Sequence, residues 1–329
     1  MERKRPVRKI KTLVTVWCPE ASEKNDVPSD EGLRALVPAE VELAFLQPSQ
    51  NLADHLAGVE VLYGPLPEKD LAKADSLRWV QLNSTGADTM LYDAFAKSGI
   101  LLTTLGGAIT VTVADHAIAL LFALARNLHL QRDLQREGKW QAVTGVEISG
   151  MRLGILGFGK IGRAIASRAN AFGMEITAVD AFPADKPDFV RALWGLDRLG
   201  DLLRQSDALI CSVPKTPATS RMISEEQLKL MPRGGFIVNV GRGGVIDERA
   251  LLGALRSGQL AGVGLDVTET EPLPADSPLW HEPRALLTPH TAGFTQNLRA
   301  KKNKWFADNL ARYAKGETLQ GLVSPSRGF

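Results

Sequence analysis

The sequence predicts an α/β protein of two domains, each a parallel sheet flanked by helices. Three observations carry that reading. Short apolar runs alternate with helical ones over the first hundred residues, a long apolar helix follows at 111–128, and a second alternating series begins at Met151. Strands alternating with helices at this spacing pair in parallel, with the helices covering both faces of the sheet. At 329 residues the chain is long enough for two cores of ordinary size.

In chain order, strands are expected at "LVTVW" (13–17), "VELAFL" (41–46), "VEVLYG" (59–64), "RWVQLN" (78–83) and "ILLTTL" (100–105). Between them "NLADHLAG" and "MLYDAFAKSG" read as helices, the second ending in a glycine stop. The helix "VTVADHAIALLFALARNL" (111–128) is apolar almost all round, as expected of one buried between layers. The polar stretch at 129–150 reads as an arm or linker. The second series offers strands in "RLGILG", "EITAVD", "ALICSV", "GFIVNVG", "AGVGLDV" and "ALLTPH", with helices at 160–173 and 247–259. A last helix, 295–314, leaves this series for another part of the molecule.

Composition narrows the function classes. Hydrophobic residues make up 44% and charged residues 23%, a globular balance, and the net charge of +2 gives no reason to expect nucleic acid or a membrane surface as partner. "MERKRPVRKIK" carries six Lys or Arg, but the apolar segment after it is seven residues long, so a solubilising tail is expected rather than a secretory signal. The nine-residue run "AIALLFALA" is far short of a bilayer span. Two cysteines, Cys18 and Cys211, form neither a disulfide framework nor a metal spacing, and a reduced, cytoplasmic protein is expected.

The first chemical signal is "RLGILGFGKIGRAIA", with G-x-G-x-x-G at Gly157, Gly159 and Gly162. An apolar strand precedes it and a helix pattern follows, which is the context of a Rossmann dinucleotide-binding domain. The glycines allow a tight turn, approach of backbone to a pyrophosphate and close helix–strand packing, while the helix N-terminus offers free N–H groups. Asp180 ends the next strand, 23 positions after Gly157, placed to accept hydrogen bonds from ribose hydroxyls. It would repel a 2′-phosphate, and the following "AFPAD" holds no arginine, so NAD is expected rather than NADP.

Three further residues sit at strand ends, where open α/β sheets place ligands: Arg242 in "FIVNVGRGGVID", Glu271 beyond Asp266 in "VGLDVTETEPL", and His290 in "LLTPHTAGF". Singly, each has a plain reading as surface charge, loop solvation or strand-end cap.

Together with "VADHAIALLFALAR", "VPKTPATSRMI" and "GKW", these motifs are correctly ordered and spaced over nearly the full chain, which resembles the D-isomer-specific 2-hydroxyacid dehydrogenases. The resemblance implies a role for each matching position. Arg242 would bind the substrate carboxylate and polarise the carbonyl. His290 would be the acid/base, and Glu271 would orient its ring and favour the protonated form. Asp266 would lie beside the nicotinamide end of the cofactor, Val240 on the approach to Arg242, and Lys160 and Ile161 in the pyrophosphate turn. Ser84, Thr85 and Gly86 of "NSTGAD" would hold the carboxylate through backbone N–H groups.

The implied enzyme is an NAD-dependent oxidoreductase acting on a small D-2-hydroxy acid or its 2-oxo acid, with a substrate domain from 1–106 and 297–329 and a dinucleotide domain from 107–296. The resemblance also implies a homodimer, with 129–150 as an exchanged arm. A formate enzyme of this scaffold would lack the His–Glu pair. A phosphite dehydrogenase and a dinucleotide-sensing, corepressor-like binding protein stay open. Two departures from the family pattern stand out: Lys215 where an apolar residue is usual, and no aromatic in "VTETEP". His116, beside Asp115, reads as structural, His55, His129 and His281 as solvated, and Trp140 and Trp280 as packing residues.

Overall fold

The computed structural model describes residues 9–15, 30–47 and 49–325. Residues 1–8 of the basic start, the last two residues of the strand expected at 13–17, and Cys18 lie outside these residues. The described chain forms two compact units, one running to Ile109 and resuming at Thr295, the other Thr110–Phe294.

The first unit holds β1 (Ile10–Thr15), α1 (Asp30–Arg34), β2 (Val41–Leu46), β3 (Val61–Tyr63), β4 (Trp79–Gln81), α2 (Asp93–Lys97) and β5 (Leu101–Thr103). Its strands pair in parallel in the order β2-β1-β3-β4-β5. Alternation along each strand divides the core between two faces. Leu13, Leu62, Val80 and Leu102 pack with Leu56, Met90 and Phe95 on one face. Val14, Val61, Tyr63 and Trp79 pack with Leu33 and Phe306 on the other. The helix expected at "NLADHLAG" shrinks to a 3-10 turn at Leu52–His55, capped by Asn51 and followed by Gly58 at φ +69°. Too few residues lie between cap and glycine to repay helix nucleation.

The second unit holds α3 (Thr110–Ala125), α4 (Leu128–Arg136), β6 (Arg152–Leu156), α5 (Lys160–Ala171), β7 (Glu175–Val179), β8 (Val190–Trp194), α6 (Leu199–Gln205), β9 (Ala208–Cys211), α7 (Glu225–Leu230), β10 (Gly235–Asn239), α8 (Glu248–Arg256), β11 (Leu260–Leu265) and β12 (Ala285–Leu287). Seven strands pair in parallel in the order β12-β11-β10-β9-β6-β7-β8. Both central strands β9 and β10 are buried throughout, as a sheet covered on both faces requires. The chain runs outward from β6 to β8 and then returns to β9 on the other side, so the strand order reverses beside β6. Open sheets of this kind bind ligands at the carboxyl ends of the strands flanking that reversal.

The expected helix at 111–128 ends earlier, at Ala125, because Asn127 turns left-handed at φ 52° and donates from its side chain to Thr144 O. What reads in sequence as an arm begins with a real helix, α4, none of whose residues is buried. The edge strand β8 has no counterpart among the expected strands: only Val190 of its five residues is buried, so it lacks a central strand's apolar run.

The returning helix α9 (Leu298–Lys315) belongs to the first unit because its apolar face, Phe306, Ala307 and Leu310, completes that core. Phe306 stacks on Tyr63 at 4.2 Å, and the buried Asn309 donates to Gln81 Oε1 at 3.0 Å. No single helix among the described residues is long and apolar enough to cross a membrane.

Candidate active site

The dinucleotide turn follows β6 directly. A Cβ on Gly162 would fall 2.1 Å from Gly157 O, so only glycine lets the first turn of α5 lie this close to the strand end. No side chain caps α5, and a Cβ on Gly159 would meet nothing within 4 Å, leaving room above the turn. Lys160 is exposed and Ile161 half-buried on that first turn. Asp180, half-buried, accepts from Phe158 N at 2.6 Å and Phe182 N at 2.8 Å, one bond on each oxygen. A carboxylate has about four acceptor positions, so two stay available for hydroxyl groups. Val240 is buried, its N–H donating to Cys211 O. Open glycine turn, uncapped helix end and flanking carboxylate together fit a dinucleotide.

Arg242 leaves β10 in a turn that Asn239 organises. The buried Asn239 accepts from Gly241 N at 3.1 Å and donates to Arg242 O at 3.0 Å. A Cβ on Gly243 would lie 1.7 Å from Thr268 O, so its absence lets the loop that carries Glu271 run against the Arg242 turn. In that loop Thr268 N donates to Glu271 Oε1 at 3.1 Å, which aims the carboxylate. Its other oxygen, Oε2, lies 2.6 Å from His290 Nδ1.

The electrostatics of the pair agree from both sides. The Glu271 hydrogen bond raises the His290 pKa above the ordinary imidazole value, outweighing burial, with the Glu271 and Asp266 charges adding and Arg242 opposing. For Glu271, burial pushes upward, but the His290 bond and charge, the Thr268 N–H and the Arg242 charge outweigh it and leave the carboxyl below its usual range. The charge of Arg242 therefore reaches both partners.

His290 adopts a left-handed backbone, φ 54°, which costs a non-glycine residue about 1–2 kcal/mol. Asp266, 2% exposed, holds that turn. Its carbonyl accepts from His290 N at 2.8 Å, its Oδ1 from Thr291 N at 2.8 Å and its Oδ2 from Ala292 N at 3.0 Å.

The structure thus brings Arg242, Glu271, Asp266 and His290 together in the second unit. Ser84, Thr85 and Gly86 belong to the first, in the loop after β4, where Ser84 Oγ donates to Gly86 O at 2.9 Å and Ser84 O accepts from Leu105 N. Sequence reading missed Asn239 and Thr268, polar residues inside the motifs whose role is to shape turns. His129 is half-buried rather than solvated. Trp140, expected to pack, is fully exposed at 106%, and Trp280 is 51% exposed. Lys215 is exposed, with its ammonium lying over Gly244. Among the described residues no His, Cys, Asp and Glu cluster could hold a metal ion.

Comparison with known proteins gives a consistent answer. The family model described as "D-isomer specific 2-hydroxyacid dehydrogenase, NAD binding domain" matches residues 118–292. A glyoxylate reductase of Korarchaeum cryptofilum is 38% identical over 283 residues, 84% of each chain. An (S)-sulfolactate dehydrogenase of Chromohalobacter salexigens is 38% identical over 245 residues, 74% of this chain and 79% of that one. Among solved structures, a D-isomer specific 2-hydroxyacid dehydrogenase from Xanthobacter autotrophicus, in complex with NADPH and MES, superposes with a TM-score of 0.83 at 27% identity, covering 97% of this chain and 99% of that one.

Proposed function

The chain belongs to the D-isomer specific 2-hydroxyacid dehydrogenase family, an NAD(P)-dependent group of oxidoreductases, and from that membership we propose that it interconverts a small 2-oxo acid and its D-2-hydroxy acid, with His290 as acid/base, Glu271 as its orienter and Arg242 as the carboxylate anchor. The observation that carries this reading is the 2.6 Å contact between His290 Nδ1 and Glu271 Oε2 within reach of the Arg242 charge.

The proposed division of labour assigns each residue the role that the family resemblance implies. Gly157, Gly159, Lys160, Ile161 and Gly162 would hold the pyrophosphate, and Asp180 the adenosine ribose. Val240 and Asp266 would lie along the nicotinamide end. When bound, the nicotinamide supplies or accepts the hydride. Arg242 presents a planar fork that takes a carboxylate in two parallel hydrogen bonds, a task a lysine performs poorly. In the first unit, backbone N–H groups of Ser84, Thr85 and Gly86 are proposed to bind carboxylate. Because Glu271 accepts the hydrogen bond from Nδ1–H, Nε2 is the atom left to give a proton to the carbonyl oxygen in reduction and to receive it in oxidation.

Asp180 supports NAD over NADP, since its carboxylate at the end of β7 would face a 2′-phosphate. We further infer a cytoplasmic homodimer. Helix α4, none of whose residues is buried, and the exposed Trp140 support the 129–150 arm as its contact, and the buried free Cys211 suits a reducing compartment.

The test is a steady-state screen of glyoxylate, hydroxypyruvate, pyruvate, 2-ketogluconate and bulkier 2-oxo acids with NADH and with NADPH. Turnover of one or more of these acids is expected. Tight NADH binding with no turnover of any of them would replace this reading with a dinucleotide-sensing protein.

A further inference from the structure

His116 sits on α3 with Nε2 2.9 Å from Thr288 Oγ1 and 3.5 Å from Asp266 Oδ1. Nothing in the proposed chemistry uses it. Its placement is nevertheless firmly set. Glycines at 262 and 264 in β11 let α3 lie directly on that strand: a Cβ on Gly264 would come within 3.1 Å of Leu120 Cβ, and one on Gly262 within 3.1 Å of Leu124 Cδ2. One helical turn before Leu120 lies His116, and two residues beyond Gly264 lies Asp266, so the same packing that seats Leu120 puts the imidazole over the carboxylate. Next to His116, Asp115 is bridged by Arg168 of α5 at 2.5 Å, which fixes the start of the helix from the other side.

The direction of each hydrogen bond can be worked out. Both Asp266 oxygens accept backbone N–H groups, from Thr291 and Ala292, so the Thr288 hydroxyl donates to Oδ1, at 2.7 Å. A hydroxyl has one proton. Having given it to Asp266, Thr288 accepts from His116, whose proton must therefore be on Nε2. The result is a one-way chain, His116 to Thr288 to Asp266, and Asp266 is the residue that holds the left-handed turn at His290.

We propose that His116 is a positioning residue for His290, acting through Thr288 and Asp266 to keep the acid/base ring in register with Glu271. The proposal rests on the reading of His290 as the acid/base. The charged groups around the chain are Asp266 against His116, Asp115 with Arg168 beside it, and Glu271 and Arg242 around His290. A glutamine places its side-chain N–H₂ where His has Nε2 and preserves the donor, whereas leucine fills the space without one. Serine keeps the hydroxyl of Thr288, and valine keeps its shape only.

The experiment compares His116→Gln, His116→Leu, Thr288→Ser and Thr288→Val in the full-length protein. It measures kcat and KM for the 2-oxo acid, NADH affinity, and the titration midpoint of the His290 ring by NMR, with the signal assigned by its loss in His290→Gln. His116→Leu and Thr288→Val should lower kcat roughly 10- to 100-fold, the scale expected for a misplaced reacting group, with KM and NADH affinity within about twofold and a lowered His290 midpoint. His116→Gln and Thr288→Ser should retain most of kcat and the midpoint. If His116→Leu proves unstable, the two Thr288 variants decide the matter. The proposal is overturned if His116→Gln is as impaired as His116→Leu, if Thr288→Ser is as impaired as Thr288→Val, or if the midpoint stays put in the donor-less variants. Should the wild type turn over no 2-oxo acid, the functional reading falls while the midpoint comparison still tests His116.

Discussion

Glu271 grips His290 by Nδ1 at 2.6 Å while its other oxygen is tied to the backbone at Thr268, so the carboxylate cannot swing away without breaking a second bond. His290→Gln removes the proposed proton carrier and should lower kcat by roughly 10²- to 10⁴-fold, leaving NADH affinity nearly unchanged. Glu271→Gln keeps an amide oxygen as acceptor and should cost less. Stopped-flow turnover with parallel NADH fluorescence titration separates the two. Unchanged turnover in His290→Gln would remove this residue from the chemistry.

The pH dependence follows from the same pair. In the proposed mechanism reduction needs His290 protonated, and its pKa is raised, chiefly by the Glu271 hydrogen bond. The kcat/KM for reduction should therefore hold through the ordinary imidazole range and fall only as pH rises through that raised value. Oxidation should show the opposite limb, rising with pH. In Glu271→Gln the negative charge is gone, so both limbs should move to lower pH, toward the ordinary imidazole range. A limb in the same place in wild type and variant would mean that another group is being titrated.

The parts of the fold legible in sequence are those with a local signature. Central strands such as β9 and β10 are continuous apolar runs, and the turn from Gly157 to Gly162 has a spacing that few other structures demand. The edge strand β8 was not legible because its exposed and half-buried residues lack that run. The break at Asn127 was hidden because one left-handed residue leaves little trace within a helical pattern. At the candidate site, the motifs single out side chains able to do chemistry but not what orients them. His116 and Thr288 are 172 positions apart, and only the packing of α3 on β11 brings them to 2.9 Å. The left-handed turn at His290 likewise depends on Asp266, 24 positions earlier, and not only on the local bond from His290 N to Thr288 O within "TPHTAG".

Asp180 is the residue proposed to set cofactor choice. Its two bonds to the backbone N–H groups of Phe158 and Phe182 hold the carboxylate at the edge of the glycine turn. Asp180→Ala should weaken NADH binding by roughly 10-fold or more, the loss of one to two hydrogen bonds to a charged acceptor. It should weaken NADPH binding less, because the repulsion of the 2′-phosphate goes with the carboxylate. Competitive titration of both cofactors into wild type and variant measures the ratio. An unchanged NADH:NADPH preference would refute the ribose role.

The arm at 129–150 makes the assembly testable. Helix α4 buries none of its residues, and Leu128, Trp140 and Val146 are 53%, 106% and 46% exposed, an apolar set that a lone subunit leaves in water. A second copy of the chain is the proposed cover, and in a two-fold dimer each substitution acts twice. Removing a buried aromatic anchor costs about 2–4 kcal/mol, so Trp140→Asp should cost roughly twice that per dimer and raise the dissociation constant by about 10³-fold or more. Sedimentation velocity at micromolar concentration should find the wild type dimeric and Trp140→Asp largely monomeric. The monomer's far-ultraviolet circular dichroism should be unchanged, because Trp140 contributes nothing to the core of its own subunit. A dimer that persists in Trp140→Asp would place the contact elsewhere on the chain. A monomeric wild type would leave the exposed arm without the partner proposed for it.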